Sequence, residues 1–114
     1  MADEKNLLLM IGMCRGAGKL VIGVPMVCEY LQKRGNKNRV LNDEEPDVIV
    51  IEASDASENT HKKISDKCKY YNVKHIKIFS TCEILGNAVG KGATAAVAAT
   101  DKNFCRAIMG KLSE

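Results

Sequence analysis

Aromatic residues are scarce in this chain, and the shortage narrows the kinds of protein it can be. Among 114 residues there are three Tyr, two Phe and no Trp. Proteins that read single-stranded nucleic acid usually stack successive bases on aromatic rings. A binding mode of that kind is therefore disfavoured.

Long apolar runs are also missing. The apolar stretch Leu7–Cys14 is too short to cross a bilayer, which takes roughly 20 residues. The acidic residues Asp3 and Glu4 precede it, where a secretory signal carries positive charge. We therefore expect no membrane segment and a cytoplasmic location.

The cysteines show no disulfide or metal pattern. Their number is odd, and the sequence contains neither C-x-x-C nor H-x-x-x-H, so buried thiols in a reducing compartment are favoured over disulfides or zinc. Metal ligation by the cysteines with His61 and His75 is the less favoured alternative. We expect no cofactor and no metal. The five positions are Cys14, Cys28, Cys68, Cys82 and Cys105.

The composition of the chain is typical of one compact domain, which we expect to span residues 1–114. Hydrophobic residues make up 46% of the chain and charged residues 27%, which is far from a disordered composition. The net charge of +3 is only mildly basic, so nucleic-acid binding would require the positive charges to cluster.

Helical and strand patterns alternate along the chain. The continuous apolar run Val48–Ile51 is typical of a central strand buried on both faces, and Ser57 suits the N-cap of the helix that follows. A polar connector, Asn36–Asp47, precedes this strand. The predicted order is α-β-α-β-α-β-α-β-α, which favours an α/β fold whose parallel or mixed sheet is covered on both faces.

Three segments resemble motifs of nucleotide binding or catalysis, but their spacing or their position in the predicted fold does not match those motifs. Gly12–Lys19 resembles a phosphate-binding loop, but five residues separate Gly12 from Gly18 where four are needed, and Leu20 stands where Ser or Thr would hold magnesium. Gly90–Ala95 matches G-x-G-x-x-A but precedes a predicted strand instead of following one. Ser54, Asp55 and His61 are explained more simply by a strand-to-helix turn than by a hydrolase triad. We therefore predict no catalytic residues.

Three segments together resemble the L-seven-Ae/L-thirty-e ribosomal protein superfamily, and in particular its bacterial kink-turn RNA-binding-like members. They are Cys14–Gly23, Ala53–Cys68 and Leu85–Lys91. The resemblance implies a three-layer α/β/α sandwich around a four-stranded mixed sheet. It also implies binding of structured, kink-turn-like RNA, ribosomal RNA among the candidates.

The resemblance further implies that the RNA meets three neighbouring loops, Gly18–Met26, Glu52–Asp55 and Val89–Ala93. Lys19 and Lys91 would neutralise phosphates, and Val89 and Ala93 would give apolar contacts to an unstacked base. The implied RNA-binding residues are Gly18, Lys19, Gly23, Val24, Pro25, Met26, Glu52, Asp55, Val89, Lys91, Gly92 and Ala93.

One departure from the family pattern leaves a second function open. RNA-binding members carry G-x-N-E at the start of the second helix, whereas this chain has Gly23-Val24-Pro25-Met26, followed by Glu29. Pro25 and Met26 have no side-chain group that hydrogen-bonds a base edge. The alternative is a protein-interaction module on the same scaffold, because apolar residues suit a protein partner better than a base.

Overall fold

The computed structural model describes residues 4–35 and 46–112, and helices alternate with strands throughout these residues. In chain order the elements are α1 (Lys5–Gly16), β1 (Leu20–Ile22), α2 (Val24–Arg34), β2 (Ile49–Glu52), α3 (Glu58–Tyr70), β3 (Lys74–Lys77), α4 (Cys82–Ala88), β4 (Ala96–Ala99) and α5 (Lys102–Leu112). The predicted order is confirmed. Residues 36–45 of the predicted polar connector lie outside the described residues.

The four strands form one mixed sheet in the order β1-β4-β2-β3. β4 pairs antiparallel with both β1 and β2, and β2 pairs parallel with β3. β2 is one residue further along the chain than predicted, because Glu52 still pairs with Ala96 of β4 and Lys77 of β3. β1 is an edge strand and β2 is central.

Alternate residues of the two central strands divide the core between the sheet's two faces. Ile49 and Ile51 of β2 pack with the buried residues of α1, α4 and α5. Val48, beside β2, and Val50 within it pack with those of α2 and α3 on the other face. Both faces are thus covered by helices, which confirms the three-layer α/β/α sandwich.

Side-chain caps fix where two helices begin near the loops of interest. Ser57 Oγ accepts from Thr60 N–H at 3.1 Å, so Ser57 caps α3 as predicted. Thr81 Oγ1 accepts from Ile84 N–H at 3.3 Å and caps α4. Ser80, just before this cap, donates its hydroxyl to the carboxylate of Glu4 at 2.6 Å.

Candidate nucleic-acid interface

Strand ends meet at one edge of the sheet. β1 and β2 both run antiparallel to β4, so their carboxyl ends lie beside the start of β4. The N–H of Gly23, just past β1, donates to Ala96 O at 2.9 Å, and the N–H of Ala53, just past β2, donates to Ala95 O at 2.8 Å. Backbone hydrogen bonds therefore join the start of α2, the loop after β2 and the loop before β4.

An open cleft of about 560 Å³ lies between β1, the start of α2 and the loop before β4. Four of the residues predicted to contact RNA line it, namely Met26, Lys91, Gly92 and Ala93, and all four are exposed. The remaining lining residues are Leu20, Val21, Ile22 and Thr94. The cleft thus combines an apolar floor with one lysine and exposed backbone.

The start of α2, which reaches the cleft through Met26, carries backbone N–H groups without helical acceptors. Gly23 holds a φ of 96° and provides no capping side chain. The N–H of Val27 donates to Gly23 O at 2.9 Å and closes the first helical turn. The N–H groups of Val24 and Met26 precede that bond and have no acceptor within the helix, while Pro25 has none to offer. Two N–H groups at the positive end of the helix thus have no partner within it.

α4 holds the loop before β4 in place. The N–H of Lys91 donates to Gly86 O at 2.9 Å, and the N–H of Thr94 donates to Cys82 O at 2.9 Å. A Cβ on Gly86 would lie only 1.9 Å from Gly92 O, so the loop can pack this closely only against glycine. The position of Lys91 at the cleft therefore depends on this helix–loop contact.

Gly18 and Lys19 lie at the other end of β1. Lys19 O accepts from the N–H of Thr100, just past β4, at 3.0 Å. The strand between Lys19 and Gly23 has three residues, which corresponds to roughly 10 Å. The predicted loop Gly18–Met26 is therefore interrupted by β1, and Lys19 is exposed at the end of that strand opposite to α2.

The structure does not support surface contacts by the side chains of Glu52 and Val89. Glu52 is 0% exposed and Val89 is 1% exposed. Val89 packs in the core cluster with α1 and α5, because it follows the last turn of α4 directly. An apolar contact from Val89 to an unstacked base is thus ruled out in this conformation, and on that side of the cleft only Ala93 remains for such a contact.

Asp55 is exposed, but its carboxylate is already used within the protein. Its Oδ1 accepts from the N–H of Cys82, the first residue of α4, at 2.7 Å. Hydrogen bonds from the side chain and the N–H of Cys82 lower the pKa of Asp55 below its ordinary value of 3.8. Asp55 thus ties the loop after β2 to α4, a positioning role that the sequence did not indicate.

Two further charged residues bear on the interface. Arg15 of α1 was not predicted, yet its Nη1 lies 3.7 Å from where a Cβ on Gly90 would stand. A guanidinium therefore flanks the loop that carries Lys91. Glu29, which would repel phosphate, forms a salt bridge of 3.0 Å with Lys33 one turn further along α2.

A second, larger groove lies between α1 and α4 and has a volume of about 870 Å³. Its most exposed apolar side chains are Leu9, Met13, Phe79 and Ile84, which are between 47% and 69% exposed. The sequence patterns gave no indication of this surface, because Leu9 and Met13 lie on the outward side of a helix whose inward side is also apolar.

Two histidines meet the carboxylate of Glu52 beneath the loop after β2. His61 Nδ1 lies 2.9 Å from both carboxylate oxygens, and His75 Nε2 lies 2.8 Å from Oε1. Within the described residues, these three side chains are a group whose geometry could hold a metal ion. The sequence patterns missed the group, because its members are 9 and 23 residues from Glu52.

The cysteines behave as structural thiols. Cys14, Cys28, Cys68 and Cys105 are buried, and Cys82 is half-buried. Burial is the main cause that raises the pKa of Cys14 and Cys82 to about 11, and that of Cys68 and Cys105 to about 12. Those four groups are therefore thiols at neutral pH, which is the unreactive form.

The fold is an α/β/α sandwich with a cluster of loops at one edge of its sheet. Residues 7–110 match the model of the Ribosomal protein L7Ae/L30e/S12e/Gadd45 family. The chain belongs to this family.

Sequence similarity to two curated proteins supports the assignment to this family. The chain is 33% identical to the RNA-binding protein YlxQ of Bacillus subtilis (strain 168) over 103 residues, which are 90% of this chain and 91% of that protein. It is 37% identical to the RNA-binding protein YlxQ of Enterococcus faecium over 82 residues, which are 72% and 69% of the two chains.

A solved structure from Bacillus halodurans, described as a protein with unknown function, has a similar fold. Its TM-score is 0.77 at 26% identity, over 98% of this chain and 100% of that one. Among the residues that the structure describes here, no helix has the length and apolar character needed to cross a membrane.

Proposed function

We propose that this chain is a non-catalytic RNA-binding protein that holds structured, kink-turn-like RNA, such as ribosomal RNA, in the cleft beside β1. The observation that carries the proposal is the meeting of the start of α2 and the loop before β4 around one open cleft. The family membership and the two relatives named as RNA-binding proteins support it.

The cleft favours contacts to the RNA backbone over contacts to base edges. The N–H groups of Val24 and Met26 suit a phosphate oxygen. Lys91 in the cleft and Arg15 beside the same loop add positive charge. Met26 and Ala93 present apolar surface on which an unstacked base can pack. Phosphate contacts position an RNA and carry no sequence information, so we expect recognition of shape and a strong dependence on salt.

Binding of a kink-turn RNA and of a plain duplex of equal length, compared over a salt series, tests the proposal. We expect tighter binding of the kink-turn RNA. Lys91→Ala should weaken binding and flatten the slope of log K against log salt by about one unit. Lys63→Ala is the matched control, because Lys63 is also exposed but lies on α3, away from the cleft.

Either of two outcomes would contradict the proposal. Equal and negligible binding of both RNAs would remove RNA as the ligand. Equal losses in Lys91→Ala and Lys63→Ala would show that general positive charge, and not the cleft, attracts the RNA.

The alternative is a protein-interaction module on the same scaffold. It is favoured by the 53% exposure of Met26, beside an exposed Pro25, at the position where family members carry polar readers. Capture of partners from a nuclease-treated lysate separates the two functions. A partner that stays bound without RNA and is lost in Met26→Lys would favour the alternative.

A further inference from the structure

The carboxylate of Glu52 is an unusual group for the centre of a small α/β fold. It is 0% exposed, at the carboxyl end of the central strand β2. A buried carboxylate is costly unless cationic or hydrogen-bonding groups compensate it. The partners here are His61 and His75, and they are the only two histidines of the whole chain.

Three different elements hold this group together. Glu52 and His75 lie on the neighbouring parallel strands β2 and β3, and His75 pairs in register with Val50, on the sheet face that α2 and α3 cover. His61 lies in the first turns of α3, just above that face. The strand register and the helix packing therefore place two imidazoles on one carboxylate without help from a flexible loop.

We propose that Glu52, His61 and His75 form a binding site for a divalent transition-metal ion, with Zn²⁺ as the best fit. One ligand atom from each side chain lies within 4.8 Å of the others, and His61 Nδ1 and His75 Nε2 are the nitrogens nearest to the Glu52 carboxylate. Two imidazole nitrogens and one carboxylate are a ligand set that zinc uses in proteins when it keeps one position open. Mg²⁺ and Ca²⁺, which prefer oxygen ligands, suit the set poorly.

The geometry requires only a small adjustment. Tetrahedral zinc with bonds of about 2.0–2.1 Å places its ligand atoms roughly 3.3 Å apart. The nitrogen–oxygen distances are now 2.8 and 2.9 Å, so each ring would move outward by about half an ångström. His61 has room to do this because its side chain is 46% exposed, whereas that of His75 is 17% exposed. The same exposure gives an ion access and leaves its fourth position open to water.

Zinc titration of the full chain, prepared without a histidine tag and first treated with a chelator, tests this site. Since the chain has two histidines, their ring signals in proton NMR report the site directly. We expect both sets of ring signals to shift together and to saturate at one equivalent of Zn²⁺. With Co²⁺, we expect visible absorption bands of a four- or five-coordinate ion and no thiolate charge-transfer band in the near ultraviolet.

Variants then assign the ligands. His61→Gln should lower the affinity for Zn²⁺ by at least about 100-fold and abolish the rise in Tm that Zn²⁺ causes, because it removes one of three ligands. Its position on the exposed side of α3 makes it the variant least expected to disturb folding. Cys82→Ser is the matched control, because Cys82 is the least buried thiol, and it should bind Zn²⁺ like the parent chain.

Three results would overturn the proposal. They are histidine signals that do not move at a saturating excess of Zn²⁺, an affinity that survives in His61→Gln, and an affinity lost in Cys82→Ser. The first needs no variant, so a failure of His61→Gln to fold would still leave the site testable. None of these measurements involves RNA, so their outcome is independent of the proposed RNA binding.

Discussion

A single methyl group added at Gly86 should displace the loop that carries Lys91. In Gly86→Ala the new Cβ would lie 1.9 Å from Gly92 O, 2.7 Å from Gly92 C and 3.2 Å from Ala93 Cα. All three are backbone atoms, so no side chain can rotate away to relieve the contact. Ordinary contact begins near 3.5 Å, so the carbonyl of Gly92 would have to retreat by roughly 1.5 Å.

The expected change in the free energy of unfolding of Gly86→Ala follows from opposing effects. Alanine is a better helix former than glycine by about 1 kcal/mol. Overpacking costs typically about 1–3 kcal/mol, and displacing the loop also weakens the hydrogen bond from Lys91 N–H to Gly86 O, a net loss of about 1 kcal/mol. Overpacking and the weakened hydrogen bond together exceed the helix preference of alanine. We therefore expect the free energy of unfolding to fall by about 1–3 kcal/mol.

Urea denaturation followed by circular dichroism measures this change, and thermal unfolding should show a Tm lower by roughly 4 °C for each kcal/mol. Gly110→Ala is the matched control, since Gly110 is also helical but has nothing within 4 Å of the position that its new methyl group would take. There only the helix preference acts, so a gain of up to about 1 kcal/mol is expected. If Gly86→Ala is as stable as Gly110→Ala, the close contact between α4 and the loop does not exist in solution.

Two other predictions concern the cleft and the loop after β2. Replacing Pro25 with Asn and Met26 with Glu restores the polar pattern of the family, and we expect the ratio of kink-turn to duplex affinity to rise. An unchanged ratio would show that these positions do not face the RNA. Asp55→Asn should destabilise the protein near pH 7. The lowered pKa of Asp55 means that its contribution is complete above its ordinary value of 3.8 and is lost as the pH falls from there through the lower folded value. The stability gap between Asp55→Asn and the parent chain should therefore close below pH 3.8, and a gap that stays constant down to pH 2 would contradict the role of its charge.

Local patterns were reliable where neighbours along the chain decide the structure. The continuous apolar run before Glu52 indicated a central strand because a strand covered on both faces needs apolar residues at every position. Ser57 indicated a helix start because a cap involves only the next three residues. Such features span four or five residues, and no distant contact is needed to interpret them.

The candidate site was predicted less completely. Met26, Lys91, Gly92 and Ala93 do line one cleft. Arg15 could not be found, because its proximity to Gly90 depends on how α1 packs beside α4. The same limitation explains why the burial of Val89 was not predicted. In the sequence this residue resembles a loop residue, but in the structure it packs in the core.

By itself, then, the sequence determined the order of helices and strands, the cap of α3 and the apolar faces that build two cores. Only the tertiary structure decided which residues meet across elements. It placed Lys19 at the end of β1 opposite to α2, buried Glu52 and brought His61 and His75 to its carboxylate. The physical reason is that caps and periodicity depend on neighbours within about one helical turn. The distance between residues of different elements depends instead on strand order and on how helices pack on the sheet, and both involve residues far apart in the chain.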